Sequence, residues 1–424
     1  MTDGARIPGP ADGPIARGSV ARVGVATVAA ALCGYAVIYL AARGLAPGGF
    51  AIFGVFWGAF GLVAGAALGL LQETTREIRQ AQDSAPQAPA LDGSRIHPMR
   101  VAGYVGVGSA ALLAGSSPLW SARVFVESGW LSVALLSIGL AGFCVHFALM
   151  GMLAGSNRWG QYGALMVTDS AFRAVVAAAT FALGWGLTGF LWATVAGSVS
   201  WLILLAASPS ARAAARLSAP GTAGDFLRGA GHSVAAAGAS AILMMGFPVL
   251  LKLTSAELGA EGGVVILAVT LTRAPLLFPL MAMQGNLIAH FVDERSHRLR
   301  ALISPALLVA GIGGAGVMLA GLAGPWLLRV AFGPDYQASG ALLAWLTAAA
   351  VSITLLTLTG VAAVAAALHR AYSLGWVCAT AVSGLLLLLP TGLETRTIIS
   401  LMCGPLVGIG VHLFALGRAG HDPA

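Results

Sequence analysis

Charge-poor apolar runs of about twenty residues recur along the whole chain, at about 23–42, 50–72, 101–120, 130–155, 161–183, 187–207, 229–251, 262–288, 302–324, 338–366, 371–390 and 397–416. A helix needs about 20 apolar residues to cross a hydrocarbon core of ~30 Å. The pattern therefore predicts twelve membrane-spanning helices. Only Gly184-Trp185-Gly186 separates the fifth run from the sixth, which places a break there.

The polar positions between the runs divide the chain. Residues 1–17, where prolines and glycines are scattered between charges, predict a disordered cytoplasmic tail. The longest polar stretch, 73–99, opens with ETTREIRQAQ, which can prolong the second helix, and continues with SAPQAPALDGS, a flexible linker. A second basic loop lies midway and separates six spans from six. The expected organisation is a tail at 1–17, an N-terminal six-helix lobe at 18–210, a basic linker at 211–228 and a C-terminal six-helix lobe at 229–424. Basic residues precede the first run and Ala41-Ala42 close it, as in a signal peptide. Its length nevertheless exceeds the usual apolar region of about 7–15 residues, so it reads as a retained helix.

Composition sharpens this picture. Of 424 residues, 58% are hydrophobic and 9% charged, against about 25% charged in ordinary soluble domains. With 23 basic and 16 acidic residues the chain cannot coat a soluble body of this size, so lipid is the solvent for most of its surface. A soluble enzyme is excluded. Lys252 is the sole lysine and no Gly-x-x-x-x-Gly-Lys run surrounds it, which excludes a P-loop. Cys33, Cys144, Cys378 and Cys403 lie far apart in apolar runs without Cys-x-x-Cys spacing, so they read as small hydrophobes and indicate neither a zinc site nor a disulfide framework.

Basic residues also orient the chain, because Lys and Arg are retained on the cytoplasmic side. With the N-terminus inside, sixteen fall on inner segments and five (Arg43, Arg123, Lys252, Arg329 and Arg396) on outer ones, while Arg173 and Arg273 fall within spans. Both termini are expected to be cytoplasmic. No outer segment exceeds about a dozen residues, which leaves no room there for a catalytic domain.

Asp169 and Arg173 stand four apart on one helix face, in the orientation that allows pairing. At 1.5 Å per residue Arg173 lies roughly 18 Å and Arg273 roughly 16 Å into the membrane. A charge at that depth costs at least ~2.5 kcal/mol, so it should face a bundle interior or a watery cavity. Asp169 and Arg173 also read as a pair that merely neutralises itself. Pro275 and Pro279 follow Arg273, and Pro248 stands in the span before; each can kink a helix beside a cavity or simply for packing. His146, His232 and His412 have no partner at metal-ligand spacing and read as interhelical hydrogen-bonders. The lobes show a faint repeat: Arg43, Leu45, Gly48 and Gly49 after the first span, and Lys252, Leu253, Gly262 and Gly263 after the seventh. Two lobes with a site between them is a common transporter plan.

The run LAARGLAPGGFAIFGVFW, from Leu40 to Trp57, resembles the first hairpin of polysaccharide-type flippases of the MOP superfamily. Its matching residues are Arg43, Leu45, Pro47, Gly48, Phe50, Phe53 and Gly54, with Phe50-Ala51 where Phe-Gly is usual. FGPDY at Phe332 to Tyr336 is similar to that family's Phe-Gly-x-x-Tyr segment, and TRAP at Thr272 to Pro275 to its Arg-x-Pro in the eighth helix. The resemblance spans nearly the whole chain. It implies an all-α integral membrane protein of about twelve helices in two six-helix lobes related by pseudo-two-fold symmetry. It further implies a flippase, not an enzyme, that carries a polyprenyl-diphosphate-linked oligosaccharide from the inner to the outer leaflet of the plasma membrane by alternating access, for surface polysaccharide assembly. In that reading Arg173 and Arg273 bind the diphosphate at mid-membrane, with Arg43 and Lys252 as an outer ring, because guanidinium forks match phosphate oxygens. Asp169 is the candidate for coupling to Na+ or H+. No metal, other cofactor or nucleic acid is expected; the partners are the lipid-linked oligosaccharide, membrane lipids, a polysaccharide polymerase and glycosyltransferases. A cation-coupled multidrug exporter of the same superfamily is the alternative, with Asp169 as its acid, although buried arginines repel cationic drugs. A membrane glycan polymerase or glycosyltransferase is a further one, but RGLAPGG, the first outer loop, has no acid, and no Asp-x-Asp occurs.

Overall fold

A computed structural model describes residues 17–84, 95–125, 127, 129–294 and 298–419. The expected tail before residue 17, most of the expected linker (85–94) and Arg295 of the basic inner segments lie outside the described residues. The apolar runs form helices throughout. Helices α1 (Arg17–Gly44) and α2 (Pro47–Ser84) make the first hairpin, and α2 continues through ETTREIRQAQ as expected. Then come strand β1 (Arg95–Ile96), α3 (Pro98–Ser116), a short α4 (Ser121–Val124), α5 (Gly129–Gly155) and α6 (Trp159–Leu183). Helices α7 (Gly186–Ala196) and α8 (Ser200–Ala207) make the sixth crossing, followed by α9 (Pro209–Ala215) and strand β2 (Ala219–Pro220). The second half comprises α10 (Ala223–Met244), α11 (Phe247–Leu253), α12 (Gly259–Ala282), α13 (Gln284–Asp293), α14 (Arg298–Phe332), α15 (Gly340–Ala365), α16 (His369–Leu386) and α17 (Leu393–Ala419).

Among the described residues nine helices are long and apolar enough to cross a membrane alone, and the bent pair α10 and α11 makes a tenth. Helices α3 and α16, with 19 and 18 residues, are shorter and complete the twelve crossings of the expected path. The even number puts both described ends on one side, here termed the terminal face; the opposite side, with the α1–α2 turn, is the hairpin face. Large apolar side chains point outward, Leu112, Trp130 and Leu322 being at least three-quarters exposed, as lipid-facing surface requires.

Two breaks have local causes. Gly184 and Gly186 adopt left-handed φ values of 68° and 60°. The Trp185 N–H turns back to the Thr180 carbonyl at 3.1 Å, closing α6 with a glycine cap. The second break bends α10 against α11 by 68°. Pro248, in the first turn of α11, has no N–H for the Met244 carbonyl, so the helix cannot run on.

Helix α1 packs on α6, and α2 and α3 pack on α5; α14 packs on α15, and α16 on α17. The turn between α5 and α6 recurs between α15 and α16: Asn157 and Ala367 have φ of 56° and 60°, and the next N–H reaches back to Leu153 or Ala363 at 2.8 and 2.9 Å. The two lobes thus repeat one plan. They meet where α2 lies along α10 and α12. At Gly69 a Cβ would collide with the backbone of Val234, so only glycine admits this approach.

At the hairpin face the lobes are sealed. The Tyr336 hydroxyl donates to the Leu45 carbonyl at 3.1 Å, and the Phe50 and Tyr336 rings meet edge-on at 6.2 Å. Burial pushes the Tyr336 phenol above its ordinary pKa, which keeps it a donor. At the terminal face β1 and β2 pair antiparallel, Ile96 opposite Ala219, and Arg95 Nε donates to Ser218 Oγ at 3.0 Å. Residues 211–228, read from sequence as a basic linker, therefore carry most of α9, all of β2 and the start of α10. Burial of Ile96 and Ala219 against Leu70 and Phe226 is what orders them.

Candidate functional site

The break between α10 and α11 creates a local need that α12 meets. An α-helix leaves its last carbonyls without N–H partners, and here those of Leu243 and Met244 are freed beside α12. Arg273 Nη1 donates to both, at 3.3 and 3.1 Å. A cation at a helix C-terminus is also favoured by the helix dipole, and the guanidinium carbon lies 5.4 Å from the centre of the Phe247 ring. Arg273 is only 7% exposed, and its Nη2 is buried with no partner among the described residues. It lines a cavity of about 230 Å³ between the lobes, walled by Tyr35 of α1, Trp57 of α2, Met244 and Met245, and Phe278 of α12.

Asp169 and Arg173 line a second cavity, of about 310 Å³. The two cavities share Gly34, Trp57 and Met245, so the two arginines face adjoining spaces. Their electrostatics differ. Arg173 Nε and Nη2 both donate to Asp169 Oδ1 at 3.1 Å, and the guanidinium lies against the contacting rings of Phe60 and Phe143, at 5.0 and 5.1 Å from their centres. The pair rests on Gly197, where any Cβ would strike both side chains. Arg173 is thus neutralised, whereas Arg273 has no acidic partner among the described residues.

Lys252 lines a third cavity of about 470 Å³, together with Gly48, Glu127 and Glu257, and its Nζ donates to the Ala256 carbonyl at 3.2 Å. Arg43, exposed at the end of α1, lines none of the three. His146 and His412 do join helices: His146 Nδ1 is 3.2 Å from Ser200 Oγ, and His412 Nδ1 is 3.0 Å from Thr359 Oγ1. His232 differs from expectation. It is exposed and bonds the Arg228 carbonyl one turn back on its own helix, at 2.8 Å, because that acceptor is nearest. Among the described residues no group of three His, Cys, Asp or Glu is placed to hold a metal, and the four cysteines are free.

The sequence named Asp169, Arg173 and Arg273 as candidates but did not disclose the wall around them. Trp57, Met244 and Met245 look like ordinary apolar positions; the available signal was Met244-Met245-Gly246-Phe247-Pro248, where a proline two residues after a glycine marks freed carbonyls.

No family model matches the chain. Two Mycobacterium tuberculosis H37Rv proteins do: uncharacterized protein Rv3630 is 72% identical over 410 residues, covering 97% of this chain and 94% of its own length. Uncharacterized protein Rv1510 is 66% identical over 418 residues, covering 99% and 96%. Among solved structures, the inward-facing conformation of a multidrug resistance MATE family transporter of the MOP superfamily is similar at a TM-score of 0.73, with 16% identity, over 95% of this chain and 100% of that one. An outward-facing conformation of a transporter so described scores 0.63, with 15% identity, over 96% of each chain. A Pyrococcus furiosus MOP superfamily transporter, described as having a binding pocket of reverse polarity, scores 0.62 with 15% identity, over 95% of this chain and 96% of that one. The fold is thus that of MOP superfamily transporters.

Proposed function

The chain belongs to the family of Rv3630 and Rv1510, and from that premise and its MOP-type fold we propose that it is a transporter, a flippase that moves an anionic lipid-linked oligosaccharide from the cytoplasmic to the outer leaflet. One observation carries this reading: Arg273, buried between the lobes, has no acid beside it among the described residues and keeps Nη2 without a partner. A guanidinium edge of this kind suits phosphate oxygens, and an apolar wall of methionines and aromatics suits a lipid chain. The polyprenyl carrier and the polymerase and glycosyltransferase partners remain part of this proposal through the resemblance of the first hairpin and FGPDY.

A multidrug exporter of the same superfamily would need an acid free to meet a cation. Among the described residues Asp169 is the only acid lining the two adjoining cavities, and its Oδ1 accepts both bonds from Arg173. In the flippase reading Asp169 is the coupling carboxylate: H+ or Na+ taken up there weakens its hold on Arg173. The hairpin face, sealed by Tyr336 and Leu45, is the outer one, and both termini are cytoplasmic; a reporter fused after Arg418 should stay inside. The test of the function is depletion of the protein in its host, followed by leaflet-resolved analysis of lipid-linked glycans. A completed precursor accumulating on the inner leaflet is expected. Normal glycan export with unchanged precursors would contradict the proposal.

A further inference from the structure

We infer that the headgroup accepted between the lobes carries one negative charge, as in a lipid phosphodiester, in preference to the two of a diphosphate; this rests on the flippase reading and refines it. Of the described residues that line the two adjoining cavities, only Arg273, Asp169 and Arg173 are charged. Asp169 and Arg173 cancel, with Nε and Nη2 both committed to Oδ1. The wall therefore carries one net positive charge, on Arg273.

Even that cation is partly used. Arg273 Nη1 is held by the carbonyls of Leu243 and Met244, which leaves Nη2, buried and without a partner among the described residues, as the edge free to bond a ligand. One such edge can hold oxygens of one phosphate. A second phosphate charge in the same apolar space would be desolvated without a counter-charge, which is costly. Among the described residues no other cation lines these cavities: Arg43 lines neither, and Lys252 lines a separate one that also holds Glu127 and Glu257. Around Arg273 the remaining polar side chains are neutral, among them Tyr35, Trp57 and Thr270, which suit sugar hydroxyls.

The charge count also says how to change the preference. Asp169→Asn removes the negative member while its amide oxygen can still accept from Arg173, so the wall gains a second net positive charge without losing its packing. A merely structural Asp169 would not shift headgroup preference.

The experiment uses the full chain in phosphatidylcholine nanodiscs and four synthetic farnesyl-tailed probes: the phosphodiester of mannose, the diphosphodiester of mannose, the uncharged mannoside and a trimethylammonium. Binding is measured by calorimetry near neutral pH. The wild type is expected to bind the phosphodiester about tenfold more tightly than the diphosphate or the mannoside, and Asp169→Asn to favour the diphosphate, with thermal melting confirming that the variant is folded. Arg273→Lys should weaken both anions and keep their order. A wild type that binds the diphosphate as tightly as the phosphodiester, or tighter, overturns the single-charge inference and leaves the flippase reading standing. An unchanged order in folded Asp169→Asn overturns the charge account. Tighter binding of the ammonium or the uncharged mannoside than of either anion overturns the flippase reading itself.

Discussion

Helices α6 and α16 follow the same left-handed turn, at Asn157 and Ala367, in their respective lobes, yet they show their neighbours different chemistry. On α6, Asp169 and Arg173 pack onto Gly197; on α16, Ala379 and Ser383 pack onto Gly404. In the second lobe Ser383 and Ser400 exchange bonds, each hydroxyl donating to the other's carbonyl at 3.0 and 2.9 Å, and both side chains are fully buried. The first lobe places an ion pair beside a cavity, with 16% and 12% of the Asp169 and Arg173 side chains exposed. The repeat thus preserves a space, a glycine opposite the same two turns of helix, but two side chains fill it in the first lobe and the Ser383 side chain with the Ala379 carbonyl in the second. The fold's symmetry supplies position, and at this position the first lobe supplies an ion pair where the second supplies neutral groups.

The largest effect should come from breaking that asymmetry at its charged end. Asp169→Ala leaves Arg173 against Phe60 and Phe143 without its acid; loss of one partner of a fully buried pair costs about 3–5 kcal/mol, and this half-buried pair should lose the lower end of that range. Ser383→Ala should cost about 1 kcal/mol, the worth of one neutral hydrogen bond. Thermal melting of the two variants in one detergent checks this; equal shifts would erase the distinction between the lobes. Arg273→Ala comes next, at about 1.5–3 kcal/mol, because two carbonyls lose a charged donor. Spin labels on either side of Gly246 should report a broader distance distribution in that variant, and Arg273→Lys should recover part of it.

The two buried histidines offer a smaller test. His146 of α5 meets Ser200 of α8, whereas in the second lobe the hydroxyl, Thr359, is on α15 and the histidine, His412, on α17. Exchanging partners in the first lobe, His146→Ser with Ser200→His, copies the arrangement of the second. The double variant should melt above both single variants, with a coupling of about 0.5–1.5 kcal/mol; additive losses would show that the bond does not matter. Of similar size is Tyr336→Phe, which removes the bond to Leu45 for about 0.5–1.5 kcal/mol. Because burial raises the phenol's pKa, its contribution is fully present below the ordinary tyrosine range and is lost only as pH rises above it. The difference between Tyr336→Phe and wild type should therefore be constant from neutral to mildly alkaline pH in a melting series.

Sequence made the spans legible because twenty apolar residues have few other uses. It also made Gly184-Trp185-Gly186 legible as a break and Asp169 with Arg173 as a pair, since both are matters of neighbouring residues. What it hid were contacts between distant positions. Nothing near Arg273 announces that the carbonyls it caps lie 29 and 30 positions earlier. Two-residue strands at 95–96 and 219–220 have no periodicity to read, and their pairing depends on Ile96 and Ala219 finding one apolar pocket. Gly197 and Gly404 look alike among 57 glycines until the side chains opposite them are seen.

The central claim is that the unpaired edge of Arg273 holds the anionic headgroup during transport. Arg273→Gln tests it most directly, since the shorter amide keeps a polar donor on the same face of α12 and removes the charge and the guanidinium fork. The measurement is transbilayer movement of a fluorescent farnesyl phosphodiester of mannose in vesicles containing the full chain, followed by quencher access to each leaflet. Wild type should accelerate movement, and Arg273→Gln, folded by its melting curve, should lose most of that acceleration. A folded Arg273→Gln that moves the lipid as fast as wild type would contradict the claim.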